Sequence, residues 1–338
     1  MAAQPGTPPA SSPRQKILGT IIGFWQSQAV AAAAELGIAD LLAKGPLHID
    51  VLAKQTGTDS RSLFRLMRAL ESMGIFAQAP PRTFANSAAS NCLRENVPGS
   101  LRATIRSVLL PGGGEYDAWA GFAHSLQTGK PGYDHVFGYN FWEFLKRRPD
   151  KAEVFNESQK SYNASFIDAI ARAYDWGRYG VIADIGGGSG SQLRAILERY
   201  PACRGILFDS AEAVCQALPH TRLERQNGSF FDSVPAGADL YMLKTVIHDW
   251  ADSDAITILA NVRKAVPPGG RLALVEEVIS ESVSTTPVKW VDLHMLALFG
   301  GAERTRMEYR DLFAKAGFEF EDLVPSESPF SILVARPC

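Results

Sequence analysis

Residues 181–191, VIADIGGGSGS, constrain the chain more than any other stretch. A β-branched and apolar run, Val181–Ile185, meets three consecutive glycines, and a helical pattern, Gln192–Leu197, follows at once. The succession reads as a buried parallel strand, a tight turn and a helix N-terminus. Glycine there lets backbone come close to a ligand that a side chain would hold off. The free amides that open the helix favour polar or anionic ligand groups.

The turn alone leaves the cofactor open. A dinucleotide fingerprint wants glycine at the first, third and sixth places. Gly186 and Gly188 fill two of these, but Ser191 holds the sixth, and Gly190 gives a G-x-G-x-G spacing instead. Asp209, at the end of the next strand in GILFDS, suits a ribose diol in either class. A nucleoside-type cofactor is expected; the bland alternative is a turn that only packs helix on strand.

At 338 residues the chain has room for two domains or one large one, and its formal net charge of -2 gives no general attraction to nucleic acid. No uninterrupted apolar run of membrane-spanning length is read. Residues 17–43 are the most apolar early stretch, but Gln26, Gln28, Glu35 and Asp40 break them, which points to an interface helix. Cys92, Cys203, Cys215 and Cys338 lack metal or disulfide spacing, so a reducing, cytoplasmic setting is expected.

In chain order, residues 1–13 read as a disordered tail and 14–100 as a mostly helical domain. A helix over 14–43 has apolar residues almost all round and needs a cover. Helices over 48–56 and 60–73, then the strand–turn–strand GIFAQAPPRTFANS, make a winged-helix pattern. Arg61, Arg65 and Arg68 share one helix face and raise DNA binding. Yet six basic residues (54, 61, 65, 68, 82, 94) against four acids (50, 59, 71, 95) over 48–95 are a poor phosphate footprint. Residues 101–175 read as a helical linker rich in aromatics, some of which could wall an aromatic-substrate pocket.

From 176 to the end strands and helices alternate, which means a doubly wound, mostly parallel α/β sheet. Ligands in such sheets bind beyond the carboxyl ends of the strands. His248 follows the strand DLYMLK at such an end, where an imidazole suits acid–base work; the alternative is a histidine capping the next helix. Glu276 and Glu277 end the strand RLALVEE, and Glu303 follows Gly300-Gly301-Ala302. A carboxylate on one imidazole nitrogen would fix the tautomer; a salt bridge to a nearby arginine is the alternative. His294 lies in an apolar helical run and reads as pocket wall.

The run VIADIGGGSG, GILFDS, NGSFFDSVP, YMLKTVIHDW, VPPGGRLALVEE and VDLHMLALFGGAERTRMEYRDLFAKAGF resembles the S-adenosylmethionine-dependent O-methyltransferases of the plant caffeate and microbial secondary-metabolite type. Bacterial phenazine and polyketide methyltransferases share this layout. The resemblance implies a seven-stranded, Rossmann-like methyltransferase domain over 176–338 behind an N-terminal winged-helix dimerisation domain, and hence a homodimer. It implies S-adenosyl-L-methionine as cofactor, leaving S-adenosyl-L-homocysteine, with no metal, nucleic acid or membrane partner.

By the same resemblance Asp184, Gly186, Gly188, Asp209, Ser229, Phe230 and Lys244 would hold the cofactor. Ser229-Phe230 stand where the plant pattern reads Asp-Met beside the adenine. His248 would be the general base, flanked by Glu276 and Glu303. Trp142, Phe155, Tyr162, Met295 and Phe299 would wall the acceptor pocket. Asp249 belongs to the His248 motif without an assigned role. N-methylation stays open, as do a winged-helix regulator with a degenerate cofactor domain and an NAD(P) oxidoreductase, the last disfavoured by Ser191.

Overall fold

The structure is a computed structural model; it describes residues 12–79, 81–112, 114–282 and 287–338. The chain divides into two compact units, residues 1–116 with 148–162, and residues 117–147 with 163–338.

In the first unit, Ser12 opens the helix Pro13–Glu35 through a capping box with Gln15. The expected tail of 1–13 therefore ends at the cap, and its residues 1–11 lie outside the described residues. Gly37, with φ of 64°, turns the chain left-handed, so the segment expected to be one helix becomes three pieces: Pro13–Glu35, Ile38–Leu41 and a 3-10 turn Leu42–Lys44. By length and composition Pro13–Glu35 is long and apolar enough to cross a membrane, contrary to the sequence expectation. The interruptions counted against it are weak ones: Gln26 and Gln28 are uncharged, Glu35 ends the helix and Asp40 lies beyond it. Ile17, Leu18, Ile21, Ile22, Phe24 and Trp25 are exposed, and only Ala31, Ala33 and Ala34 are buried.

Helix Ile49–Thr56, helix Ser60–Ser72 and a hairpin follow. Asp59 caps Ser60–Ser72 by accepting from the Ser62 amide at 2.8 Å, and Leu63, Met67 and Leu70, one helical turn apart, face the core. Arg61, Arg65 and Arg68 are exposed on the other side. Strands β1 (Leu47–His48), β2 (Phe76–Ala79) and β3 (Thr83–Asn86) pair antiparallel in the order β1-β3-β2.

The second unit holds β4 (Val181–Ile185), β5 (Arg204–Asp209), β6 (Leu223–Asn227), β7 (Leu240–Lys244), β8 (Arg271–Ile279), β9 (Arg304–Thr305), β10 (Phe318–Pro325) and β11 (Phe330–Pro337). Seven of them run β10-β11-β8-β7-β4-β5-β6, and β9 adds a short parallel pairing to β8. β4 to β8 pair parallel, whereas β11 and β10 return antiparallel. The inner strands β4, β5, β7 and β8 are covered on both faces, which is why they read as near-continuous apolar runs, unlike the more polar β6 and β10. Tyr241, Leu243, Leu272 and Leu274 pack with helices Asp252–Ala265 and Arg306–Lys315 on one face. Leu240, Met242, Ala273 and Val275 pack with helix Ser191–Arg199 and Trp176 on the other. The winding reverses at β4, with β5 on one side and β7 on the other, and that opens a crevice at its carboxyl end.

The expected linker of 101–175 is shared between the units rather than standing alone. Ile105 packs on the core of the first unit, while Ile170 and Ala171 pack on the sheet of the second.

Candidate active site

The glycine turn closes β4. The Gly186 amide donates to the Phe208 carbonyl at 2.8 Å, and Gly186, Gly188 and Gly190 all have positive φ (71°, 57° and 73°). A Cβ on Gly186 would fall 2.8 Å from Val246 Cγ2 and 3.5 Å from Phe230 Cε1, so the missing side chain keeps open a cradle between these two residues. Asp209 accepts from the Gly188 amide at 2.8 Å with one oxygen and from its neighbour Ser210 at 2.6 Å with the other. It therefore fixes the turn from the tip of β5. Ser229 is exposed, and Phe230 meets Phe231 and Trp250 in an aromatic group whose backbone Asn261 holds at 3.0 and 2.8 Å.

Beneath this turn Asp184 is buried, and neither carboxylate oxygen has a hydrogen-bond partner among the described residues. Burial pushes its carboxyl up to about 7, with Lys244 opposing and Asp209 adding. Lys244, at the tip of β7, is drawn down to about 8 by burial against the pull of Asp184 and Glu276. It donates to Asn163 Oδ1 and lies 5.0 Å from the centre of the Phe330 ring. An acceptor without a donor, a buried amine and an open cradle at the crevice fit a cofactor with polar and cationic groups. Asp184, Gly186, Asp209, Phe230 and Lys244 could supply that surface.

The second turn closes β7. Thr245 takes φ of 50°, a left-handed conformation uncommon for a β-branched residue. It leads into the 3-10 turn Ile247–Asp249. Glu276, on β8, accepts from the Val246 and Ile247 amides at 3.2 and 2.9 Å with one oxygen, so it holds the turn by its backbone. His248 Nδ1 lies 2.6 Å from Glu303 Oε1 and 3.7 Å from Glu276 Oε2. Both glutamates thus stand on the Nδ1 side, and Asp249 Oδ1 lies 3.5 Å from Nε2.

Three carboxylates around one partly buried imidazole set the electrostatics. Burial alone would lower the His248 pKa, but Glu276, Asp249 and Glu303 outweigh it and raise it to about 10. Burial raises Glu276 to about 7 and Asp249 to about 6, with the imidazolium opposing in each case. The cluster therefore stores protons at neutral pH. The ligating atoms of His248, Glu276 and Glu303 lie within 4.8 Å of one another, so these three, grouped from sequence as base and flanking carboxylates with no metal expected, could also hold a metal ion.

Glu303 arrives on the loop after helix Val288–Leu298. Its amide donates to Asp292 at 3.0 Å, and the Ala302 amide donates to the His248 carbonyl at 2.9 Å. A Cβ on Gly301 would sit 2.0 Å from that same carbonyl oxygen, so the loop can lie against the turn that carries His248 only with glycine there.

A cleft of about 330 Å³ opens beside Asp249. Trp142 and Phe299 wall it, stacked at 5.1 Å, and Asp134, Asn140, Phe141 and Trp250 complete much of its lining. Of the remaining expected pocket residues, Met295 is buried in its helix and outside this lining, while Phe155 and Tyr162 belong to the first unit. His294 receives the Trp119 indole N–H at 3.2 Å. Asp292, Gly301 and Arg304 were not singled out from sequence; nearness to Glu303 was the signal for Gly301 and Arg304, whereas Asp292 stands 11 residues before it.

Comparison with known proteins agrees with this geometry. Residues 119–319 match the model of the O-methyltransferase domain, and residues 18–96 that of the O-methyltransferase dimerisation domain. The phenazine O-methyltransferase of Lysobacter antibioticus is 39% identical over 95% of each chain. The phenazine-1-carboxylate N-methyltransferase of Pseudomonas aeruginosa is 32% identical over 95% of this chain and 96% of its own. An O-methyltransferase from neocarzinostatin biosynthesis, solved with S-adenosyl-L-homocysteine and 1,4-dihydroxy-2-naphthoic acid, superposes with a TM-score of 0.81 at 30% identity, covering 93% of this chain and 96% of that one. With both domain models matched in order and relatives aligned along nearly the whole length, the chain belongs to the S-adenosylmethionine-dependent O-methyltransferase family.

Proposed function

We propose that the protein methylates a hydroxyl group of an aromatic small molecule, with His248 Nε2 as the general base. The observation that carries this is the asymmetry of the imidazole. Glu303 occupies Nδ1 at 2.6 Å, while Nε2 makes no hydrogen bond among the described residues and lies 3.5 Å from Asp249, which lines the cleft.

Asp209 and the glycine turn would hold the cofactor's ribose end, with Phe230 and Ser229 beside the adenine. Asp184 and Lys244 would meet its charged amino-acid end. S-adenosylmethionine supplies a methyl group on a sulfonium, already a good leaving group. The chain's own task is then alignment and proton removal. Alignment can lower a barrier by about 7–11 kcal/mol at best, and a placed base adds about 10²–10⁴-fold. Trp142 and Phe299 offer a flat wall for a ring, and Asp249 can accept from the acceptor hydroxyl beside Nε2. The base must be neutral to act, so turnover rises with pH. A second cation placed in the crevice would favour the neutral imidazole by like-charge repulsion.

Glu303 fills Nδ1 and Glu276 spends an oxygen on backbone amides, so we read these carboxylates as orienting the imidazole rather than ligating a metal. Chelator treatment should leave the rate unchanged. The exposed apolar side of Pro13–Glu35 is read as the homodimer surface of a cytoplasmic enzyme, and the face of Arg61, Arg65 and Arg68 as solvated.

The test is turnover on a phenolic acceptor with His248→Ala, alongside calorimetry of S-adenosylmethionine and NADH. Near-normal turnover in the variant would end the base assignment. The 32% identical N-methyltransferase supports a second reading, transfer to a ring nitrogen. A ring nitrogen offers a lone pair with no proton to remove, so His248→Ala would then cost little while S-adenosylmethionine still bound.

A further inference from the structure

Arg304 is a buried arginine next in sequence to Glu303, with 3% of its surface exposed. All five of its N–H donors are engaged. Nη1 donates to the carbonyls of Ile247 at 3.2 Å and Ala302 at 3.1 Å. Nη2 donates to the Trp250 carbonyl at 2.9 Å and to Asp252 Oδ1 at 2.8 Å, and Nε reaches the same carboxylate oxygen at 3.1 Å. The partners form a pattern. Ile247 and Trp250 bracket the turn that carries His248, and Ala302 precedes Glu303. One planar group thus ties the two chain segments that present the base and its orienting carboxylate. The Ala302 amide on the His248 carbonyl and the close seat of Gly301 complete the seam.

We propose that Arg304 is a positioning residue that sets the separation of Glu303 from His248. It touches neither imidazole nor cleft, so it acts through the two backbones it joins. A rigid guanidinium suits this task because its five donors have fixed directions; a lysine has three donors on a flexible stem and cannot span the same acceptors. The short Nδ1 to Oε1 contact depends on where the loop and the turn sit relative to each other. A slip of either segment lengthens it and releases the imidazole.

The inference builds on the reading of His248 as base, yet its main readout needs no turnover. A low-field proton resonance from the Nδ1–H bond to Glu303 should be present in the wild type and absent in Glu303→Gln. In Arg304→Lys it should move upfield or vanish. Kinetically, Arg304→Lys should lower kcat by about 10- to 100-fold. The KM for S-adenosylmethionine should stay within about twofold, since the glycine turn is untouched. The acid limb of the pH profile should move to lower pH, because a poorly held carboxylate stabilises the imidazolium less.

Arg263→Gln is the control for simple destabilisation. Arg263 clasps the Gly317 and Cys338 carbonyls at 2.9 and 2.6 Å elsewhere in the unit, so its loss should lower Tm while leaving the resonance and the pH limb in place. Asp252→Asn covers the case in which Arg304→Lys fails to fold, because the Asp252 side chain is 63% exposed and tolerates replacement. It should reproduce the shift in the same direction and at smaller size. An unchanged resonance and pH limb in folded Arg304→Lys or in Asp252→Asn would overturn the proposal. Retained turnover in His248→Ala with a shifted resonance would instead overturn the base assignment and leave the positioning role standing.

Discussion

The glycine turn after β4 and the histidine turn after β7 end neighbouring parallel strands, yet they are built in opposite ways. The first is the more local: Gly186, Gly188 and Gly190 supply their own positive φ, and the two bonds that tie Gly186 and Gly188 to Phe208 and Asp209 both go to the end of one neighbouring strand, β5. The second is assembled from afar. Thr245 is held left-handed, Glu276 takes its amides from 29 and 30 residues away, and Glu303 reaches His248 across 55. A cofactor used throughout a family can be met by a self-contained turn. The two glutamates on the Nδ1 side of His248 come from segments that local sequence does not bring together.

If that contrast holds, changes in the two turns should separate into rate and affinity. The largest effect is expected from His248→Ala, which should lower kcat by about 10²-fold or more while cofactor affinity stays within about twofold. Isothermal calorimetry beside steady-state kinetics reads both. Gly186→Ala is the mirror experiment. Its Cβ meets Val246 at 2.8 Å at a φ of 71°, so affinity for S-adenosylmethionine should fall by about tenfold or more while kcat at saturation changes little. Equal losses of kcat in both variants would erase the distinction.

A smaller loss is expected from Glu303→Gln, which keeps the base but weakens its orientation. Its kcat should fall less than that of His248→Ala, and its acid limb should move down, since the removed carboxylate is one of those holding His248 near 10. A limb that moves up would contradict the charge assignment.

The buried cluster also makes a prediction about stability alone. Folded Glu276 and Asp249, raised to about 7 and about 6, keep protons that the unfolded chain releases near pH 4. Folded His248 likewise keeps its proton above the ordinary imidazole range. The native state therefore binds more protons, and the stabilisation present at low pH is lost as pH rises through these values. Tm should drop by a few degrees between about pH 5.5 and 8. Glu276→Gln should flatten that slope, because the amide oxygen can still accept from Val246 and Ile247 while the titrating charge is gone. The smallest change is expected from Thr245→Asn, which should raise Tm slightly by easing a left-handed β-branched residue.

The same contrast explains what could be read from the sequence. β4, its turn and helix Ser191–Arg199 were legible because strand periodicity, glycine and helical pattern lie side by side over residues 181–199. His248, Glu276 and Glu303 were legible as residues, from strand ends and family resemblance, but not their arrangement. Nothing in the order of residues shows that both glutamates face Nδ1 or that Asp249 takes the Nε2 side. Arg304 escaped because a buried arginine looks like any surface one until its four acceptors are in place. Trp142 and Phe299 stack across a sequence distance that no periodicity spans, and the break in the first helix turned on the left-handed Gly37.

The exposed face of Pro13–Glu35 has a consequence for how the protein comes to be folded at all. Ile17, Ile21, Phe24 and Trp25 are exposed in the single chain; with this face as the proposed homodimer surface, they would gain shelter when a second chain arrives, and that part of folding would be a bimolecular step. Stability then follows mass action: diluting the protein should lower Tm, and raising its concentration should lift it. Newly made chains would pass through a window in which that helix is unshielded, at its longest when synthesis is slow and copies are few.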